Sequence, residues 1–149
     1  MASSADDPAV RTGDGWAVAH IDAIGEGPGF RKVRGALGVT AFGVNAIVLP
    51  PGIETGPHYH DRQEELYFVH RGTIEMEFGD GSREELTEGA FARVDPPTIR
   101  RIRNRGDVNA VYVIVGGKDG YVGRDGIAPE ESRRVSGPPG AGGDSAASP

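Results

Sequence analysis

The sequence predicts an all-β domain with little helix, a sandwich or a barrel, and three observations carry that prediction. Short apolar runs alternate with turn signals through the middle of the chain. No segment holds a long apolar period of about 3.6 residues, as an amphipathic helix would. Glycine and proline are abundant, at 24 and 11 of 149 residues, which suits a chain of many tight connections.

The elements follow in order. WAVAHI (16–21) reads as a first strand, closed by GEGPG. FGVNAIVL (42–49) is a second, ended by Pro50-Pro51-Gly52. ELYFVH (65–70) is a third, with a turn at Arg71-Gly72. TIEMEF (73–78) alternates cleanly, with Ile74, Met76 and Phe78 on one face and Thr73, Glu75 and Glu77 on the other, the mark of a half-buried strand. Gly79-Asp80-Gly81-Ser82 is a hairpin connection of the Gly/Asp type. AFARV (90–94), IRRIRN (99–104) and AVYVIV (110–115) supply the remaining strands. The small, polar residues 1–15 and the Pro/Gly/Ser-rich residues 128–149 read as disordered tails around one domain at 16–127.

Composition narrows the function classes. There is no cysteine, so disulfides and thiolate metal sites are excluded and any metal must be held by nitrogen and oxygen. The start, MASSADDPAV, lacks the basic and apolar regions of a secretory signal. No apolar stretch approaches the roughly 20 residues of a membrane-spanning helix, so a soluble, cytoplasmic protein without a membrane partner is expected. A net charge of −6 argues against nucleic acid as a principal partner. The cluster Arg93, Arg100, Arg101, Arg103 and Arg105 lacks interleaved aromatics and is read, Arg100 apart, as pairing with carboxylates on a solvated face.

The chemistry concentrates in PGIETGPHYHDRQEELYFVHRG. Residues two apart on a strand point the same way at about 6.6 Å, so His58 and His60 can both reach one ion. A short turn at 61–63 lets the chain double back and bring in Glu65, preferred over its neighbour Glu64 by the spacing to Gly72. Two imidazoles and a carboxylate with open positions are a divalent-metal donor set. Tyr67 shares the parity of Glu65 and faces the same pocket, as a hydroxyl for a ligand or as a satisfied core aromatic; Leu66, Phe68 and His70 face the other way. Gln63 has an amide oxygen to offer the site but is read first as a solvated turn residue, and His20 as a strand residue with no partner at metal spacing.

From Gly52 the pattern is glycine, five residues, His-x-His, four residues, glutamate, six residues, glycine, which resembles the first motif of the cupin family. GAFARVDPPTIRRIRN, from Gly89 to Asn104, resembles the second, with Asp95 where the pattern has proline, Pro97 where it has glycine and Arg100 where it has the metal-binding histidine. The resemblance covers about residues 16–116 and implies a double-stranded β-helix, a jelly-roll barrel whose inward side chains converge on a pocket open at one mouth. It also implies a homodimer, and a metal of the Fe, Mn, Ni or Zn kind.

A guanidinium has only donors and cannot ligate a metal. A unit charge about 5 Å from a dication costs about 6–7 kcal/mol at an effective dielectric near 20. Three arrangements stay open. Arg100 clamps an anionic ligand against a three-ligand metal, or it points away, or it pairs with Glu65 in a metal-free pocket. The leading expectation is a metal-binding cupin holding its ion through His58, His60 and Glu65. Arg100 and Tyr67 would bind a small anionic substrate, with Tyr67 and Glu64 as the local catalytic candidates. The resemblance allows dioxygenases, isomerases, decarboxylases and epimerases. The competing expectation is a non-catalytic binding or sensing module in which Arg100 pairs with Glu65. The glycine-rich residues 116–126 lack the spacing of a phosphate loop and read as a turn-rich segment folding back on the barrel.

Overall fold

The computed structural model describes residues 10–129 and the strand Arg133–Arg134. In chain order the strands are β1 (Arg11–Gly13), β2 (Trp16–Val18), β3 (Gly29–Arg31), β4 (Gly43–Leu49), β5 (Tyr59–His60), β6 (Glu64–Arg71) and β7 (Ile74–Phe78). They continue with β8 (Arg83–Leu86), β9 (Phe91–Val94), β10 (Arg100–Arg103), β11 (Ala110–Gly117), β12 (Gly126–Ala128) and β13 (Arg133–Arg134). Helix among the described residues amounts to a 3-10 turn at Ile21–Ala23 and α1 at Val33–Leu37. Neither is long and apolar enough to cross a membrane.

Two antiparallel sheets face each other around the core: β3-β4-β11-β6-β9 and β10-β7-β8. A third, β13-β12-β5, closes one end, and β1-β2 forms a separate hairpin. Ile47, Leu49, Tyr67, Val69, Tyr112 and Ile114 from the larger sheet meet Ile74, Met76 and Ile102 from the smaller one. This is a double-stranded β-helix, held by alternation: in β6, Glu65, Tyr67 and Val69 are buried while Glu64, Leu66 and His70 are exposed. The segment 52–58 extends the smaller sheet along the free edge of β10. There the Thr55 N–H donates to the Ile102 carbonyl at 2.8 Å, and His58 and Arg100 exchange both backbone hydrogen bonds at 3.0 and 2.9 Å.

The apolar runs expected as strands coincide with β2, β4, β6, β7, β9, β10 and β11, and Gly79–Ser82 makes the expected connection, with Asp80 accepting from the Ser82 N–H and hydroxyl. The differences lie in short or polar strands that neighbours hold in place. β8 is Arg-Glu-Glu-Leu, exposed along most of its length and set at a sheet edge, so no apolar period marks it. β1 begins inside the segment read as an N-terminal tail, because Asp14-Gly15 makes a two-residue hairpin connection to β2. β13 lies inside the segment read as a C-terminal tail; the rest of both tails, at 1–9, 130–132 and 135–149, is outside the described residues. His20 does not continue β2. It caps the 3-10 turn, its Nδ1 accepting from the Asp22 N–H at 3.1 Å.

Gly72, the last residue of the first motif, has a physical reason to be glycine. Its φ is 73°, and a Cβ there would meet the Ala110 Cα and the Asn109 carbonyl oxygen at 3.0 Å. Asn104, which ends the second motif, is buried and ties the barrel end together. Its amide donates to the carbonyls of Leu49 and Val108 at 2.8 Å, and its oxygen accepts from the Gly106 N–H.

Candidate metal centre

Three elements deliver the site. His58 stands on the segment bridged to β10, His60 on β5 and Glu65 on the inward face of β6. One nitrogen from each histidine and one oxygen of Glu65 lie within 4.8 Å of one another. The two imidazoles meet edge to face, with ring centres 5.2 Å apart. His60 Nε2 is 3.3 Å from Glu65 Oε2, the separation of two ligands sharing one ion at about 2.1 Å from each. His58 Nε2, His60 Nε2 and Glu65 Oε2 are all buried and make no hydrogen bond among the described residues.

Buried polar atoms are nearly always satisfied, so three orphaned donors converging on one point fit an ion. Their N2O set, without sulfur, suits Zn, Mn, Fe or Ni. Electrostatics favour the same competence. Burial pushes the His58 pKa down to about 3, leaving a neutral imidazole with a free lone pair. Burial also acts to raise Glu65, but His60 and Arg100 beside it outweigh that, and its pKa falls below the ordinary value. For His60 the balance reverses: burial lowers it, yet the hydrogen bond to Asp125 and the Glu65 carboxylate beside it prevail and the pKa rises.

Arg100 does not point away. It is wholly buried on β10 with Nη2 3.5 Å from Glu65 Oε1, while Nη1 donates to the carbonyls of Thr98 at 2.8 Å and Pro96 at 3.4 Å. Its Nε and Nη2 make no hydrogen bond among the described residues. The turn that departs from the second motif at Asp95 and Pro97 thus supplies the carbonyls that seat this guanidinium. The Pro96 carbonyl also accepts from the His60 N–H at 2.7 Å.

Tyr67 faces inward and donates its hydroxyl to Glu65 Oε1 at 2.6 Å. Burial, reinforced by the Glu65 charge, holds its pKa well above the ordinary value, so it keeps its proton. Glu64 is exposed, on the opposite face of β6, and does not join His58, His60, Glu65, Tyr67 and Arg100. Arg101, Arg103 and Arg105 pair with Glu54, Glu75 and Glu77 on the outer surface, as expected of a solvated face.

One residue departs from the sequence reading and another escaped it. Gln63 is fully buried, not a solvated turn residue, with Nε2 donating to Asp125. Asp125 accepts from His60 Nδ1 at 2.8 Å although 65 residues separate them. Nothing local announces it. It belongs to the turn-rich segment that folds back, and the pairing of β12 with β5, Gly126 opposite His60, brings it in.

Residues 45–116 match the family model of the cupin domain. No curated protein matches the chain. Among solved structures, a cupin-superfamily sugar phosphate isomerase from Silicibacter pomeroyi is 26% identical with a TM-score of 0.56. That match covers 70% of this chain and 60% of that one, so the chain spans less than two thirds of that protein's length. A cupin protein from Bacteroides fragilis is 25% identical over 64% of this chain and 79% of its own, with a TM-score of 0.56. A candidate sugar phosphate isomerase from Acidithiobacillus ferrooxidans, 22% identical over 70% of this chain and 67% of its own, superposes with a TM-score of 0.60 and speaks for the fold alone. Residues 45–116, just under half of the chain, thus match a small cupin domain, and within them Arg100 stands where the second-motif pattern has histidine.

Proposed function

We propose that this cupin domain binds a divalent metal ion through His58, His60 and Glu65, and that Arg100 and Tyr67 orient a small anionic ligand beside it. The observation that carries the reading is the convergence of three buried, hydrogen-bond-free donor atoms within 4.8 Å. A bound ion would supply Lewis-acid polarisation of a ligand carbonyl. The chain's own contribution is a preorganised surround: the neutral His58, a Tyr67 that holds its proton, and Nε and Nη2 of Arg100, which make no hydrogen bond among the described residues, as donors to an oxyanion. Isomerase chemistry on a phosphorylated or carboxylated carbonyl compound is favoured over dioxygenase chemistry. Its support is the likeness to the Silicibacter pomeroyi sugar phosphate isomerase, whose name gives an anionic substrate class.

The ion pair of Arg100 with Glu65 at 3.5 Å favours a second reading, a metal-free pocket that captures a small metabolite. Elemental analysis of tag-free protein purified without metal-affinity resin separates the two. The first reading expects near-stoichiometric metal that His58→Ala abolishes. Protein that takes up none of Fe, Mn, Ni or Zn would support the second.

We also propose a homodimer through the outer face of the larger sheet. Leu66 and Phe91 are 41% and 64% exposed there, and the Phe91 ring lies 4.7 Å from that of Phe68, an apolar surface of the kind that marks an interface. Light scattering should give twice the chain mass, shifting toward one chain in Phe91→Glu. A wild-type monomer at tens of micromolar would end the proposal.

A further inference from the structure

Asp125 precedes β12 and shares its carboxylate between the site and the loop that shapes it. Oδ1 contacts His60 Nδ1 at 2.8 Å and accepts from Gln63 Nε2 at 2.5 Å. Oδ2 accepts from the backbone N–H of Arg62 at 2.8 Å and of Gln63 at 3.0 Å. An ionised carboxylate only accepts, so the proton between Asp125 and His60 belongs to the imidazole Nδ1. The remaining nitrogen, Nε2, is then the one that faces Glu65 and carries no hydrogen bond among the described residues.

We infer that Asp125 is a positioning residue of the metal centre: it fixes His60 with its proton on Nδ1 and turns the Nε2 lone pair toward His58 and Glu65. The functional half of this inference rests on the metal-binding reading; the placement of the proton does not. Carboxylate–histidine–metal arrangements orient the ring and raise its basicity. Here the carboxylate has a second task. With Arg100 in place of a neutral ligand, an ion held by Glu65 alone would leave an uncompensated charge of +2 around the site. Asp125 reduces that to +1 without occupying a coordination position. It does so through the segment that also supplies β12, so the same fold-back that seats His60 delivers the charge.

Asp125→Asn is the diagnostic variant because the four donors around Asp125 cannot all be met by an amide. With the amide oxygen kept on the backbone N–H groups of Arg62 and Gln63, the NH2 faces His60, whose Nδ1 must then accept and whose proton moves to Nε2. An analogous exchange beside a catalytic histidine leaves geometry intact and traps the wrong tautomer. Long-range 1H–15N correlation spectra report which ring nitrogen carries the proton, and chelator competition with Zn2+ reports affinity. In the wild type, Nδ1 should be protonated. In Asp125→Asn, Nδ1 should be bare and the Zn2+ dissociation constant about 10–100-fold higher, the usual effect of removing such a partner. A purely structural role would not move the proton. A bare Nδ1 in the wild type overturns the inference even if the variant does not fold, and so does Asp125→Asn binding Zn2+ as tightly as the wild type. A tautomer switch in a protein that holds no Zn2+ in either form upholds the positioning role and removes the metal-binding reading instead.

Discussion

Arg100→Met will destabilise the metal-free protein by about 3–5 kcal/mol, and a divalent ion will restore most of that loss. Both partners of the Arg100–Glu65 pair are wholly buried, so removing the guanidinium takes the permanent cation away from a carboxylate in a low-dielectric interior and leaves it only His60, 3.3 Å away. Tyr67 still donates to Glu65, which softens the loss without cancelling a charge. An ion ligated by Glu65 would supply the missing positive charge. Urea unfolding with a chelator and with saturating Zn2+ should therefore show a gap for both proteins, larger for the variant than for the wild type. A variant as stable as the wild type under chelation would mean that the pair contributes nothing. Arg100→His, which returns an imidazole to the ligand position, should tighten metal retention; unchanged affinity would place that side chain outside the site.

The second large effect concerns acid. His58 has a folded pKa of about 3 against an ordinary value of 6.5, so between those limits the unfolded chain binds a proton that the folded chain refuses. Stability therefore falls as pH drops through that window, by up to about 1.4 kcal/mol per pH unit for this one group. His60 acts elsewhere: its folded pKa is raised, so its contribution is complete below 6.5 and is lost only as pH rises through the folded value. Glu65 and Asp125, both held low, add their losses at lower pH, as the unfolded carboxylates begin to protonate. Between pH 6.5 and 5.5 the slope thus belongs chiefly to His58. In metal-free protein His58→Gln should flatten it, read as the urea midpoint against pH, whereas an equal slope in the variant would assign the acid sensitivity to another group.

Much of the site was legible because strand parity is a strict rule. His58 and His60 share a face, as do Glu65 and Tyr67, and the glycine at 72 is demanded by a backbone approach of 3.0 Å. The long strands were legible for the same reason, since β4, β6, β7 and β11 alternate against a common core. What stayed hidden depends on contacts distant in sequence. β8 and β12 are held by partners and not by their own apolar pattern, and Asp125 reaches His60 only after the chain has folded back. The resting place of the Arg100 side chain was equally unreadable, because it is settled by the carbonyls of a turn, Pro96 and Thr98, that carry no side-chain signature.

The rung joining His58 to Arg100 has an evolutionary consequence. Two hydrogen bonds of 3.0 and 2.9 Å fix those residues through their main chains, so whatever side chain stands at position 100 is presented at the same height opposite the same imidazole. The barrel wall offers a socket whose occupant can change while the masonry stays put. Because arginine and histidine codons can differ by one base, a lineage can trade a fourth ligand for a fixed cation, and trade it back, in a single mutational step.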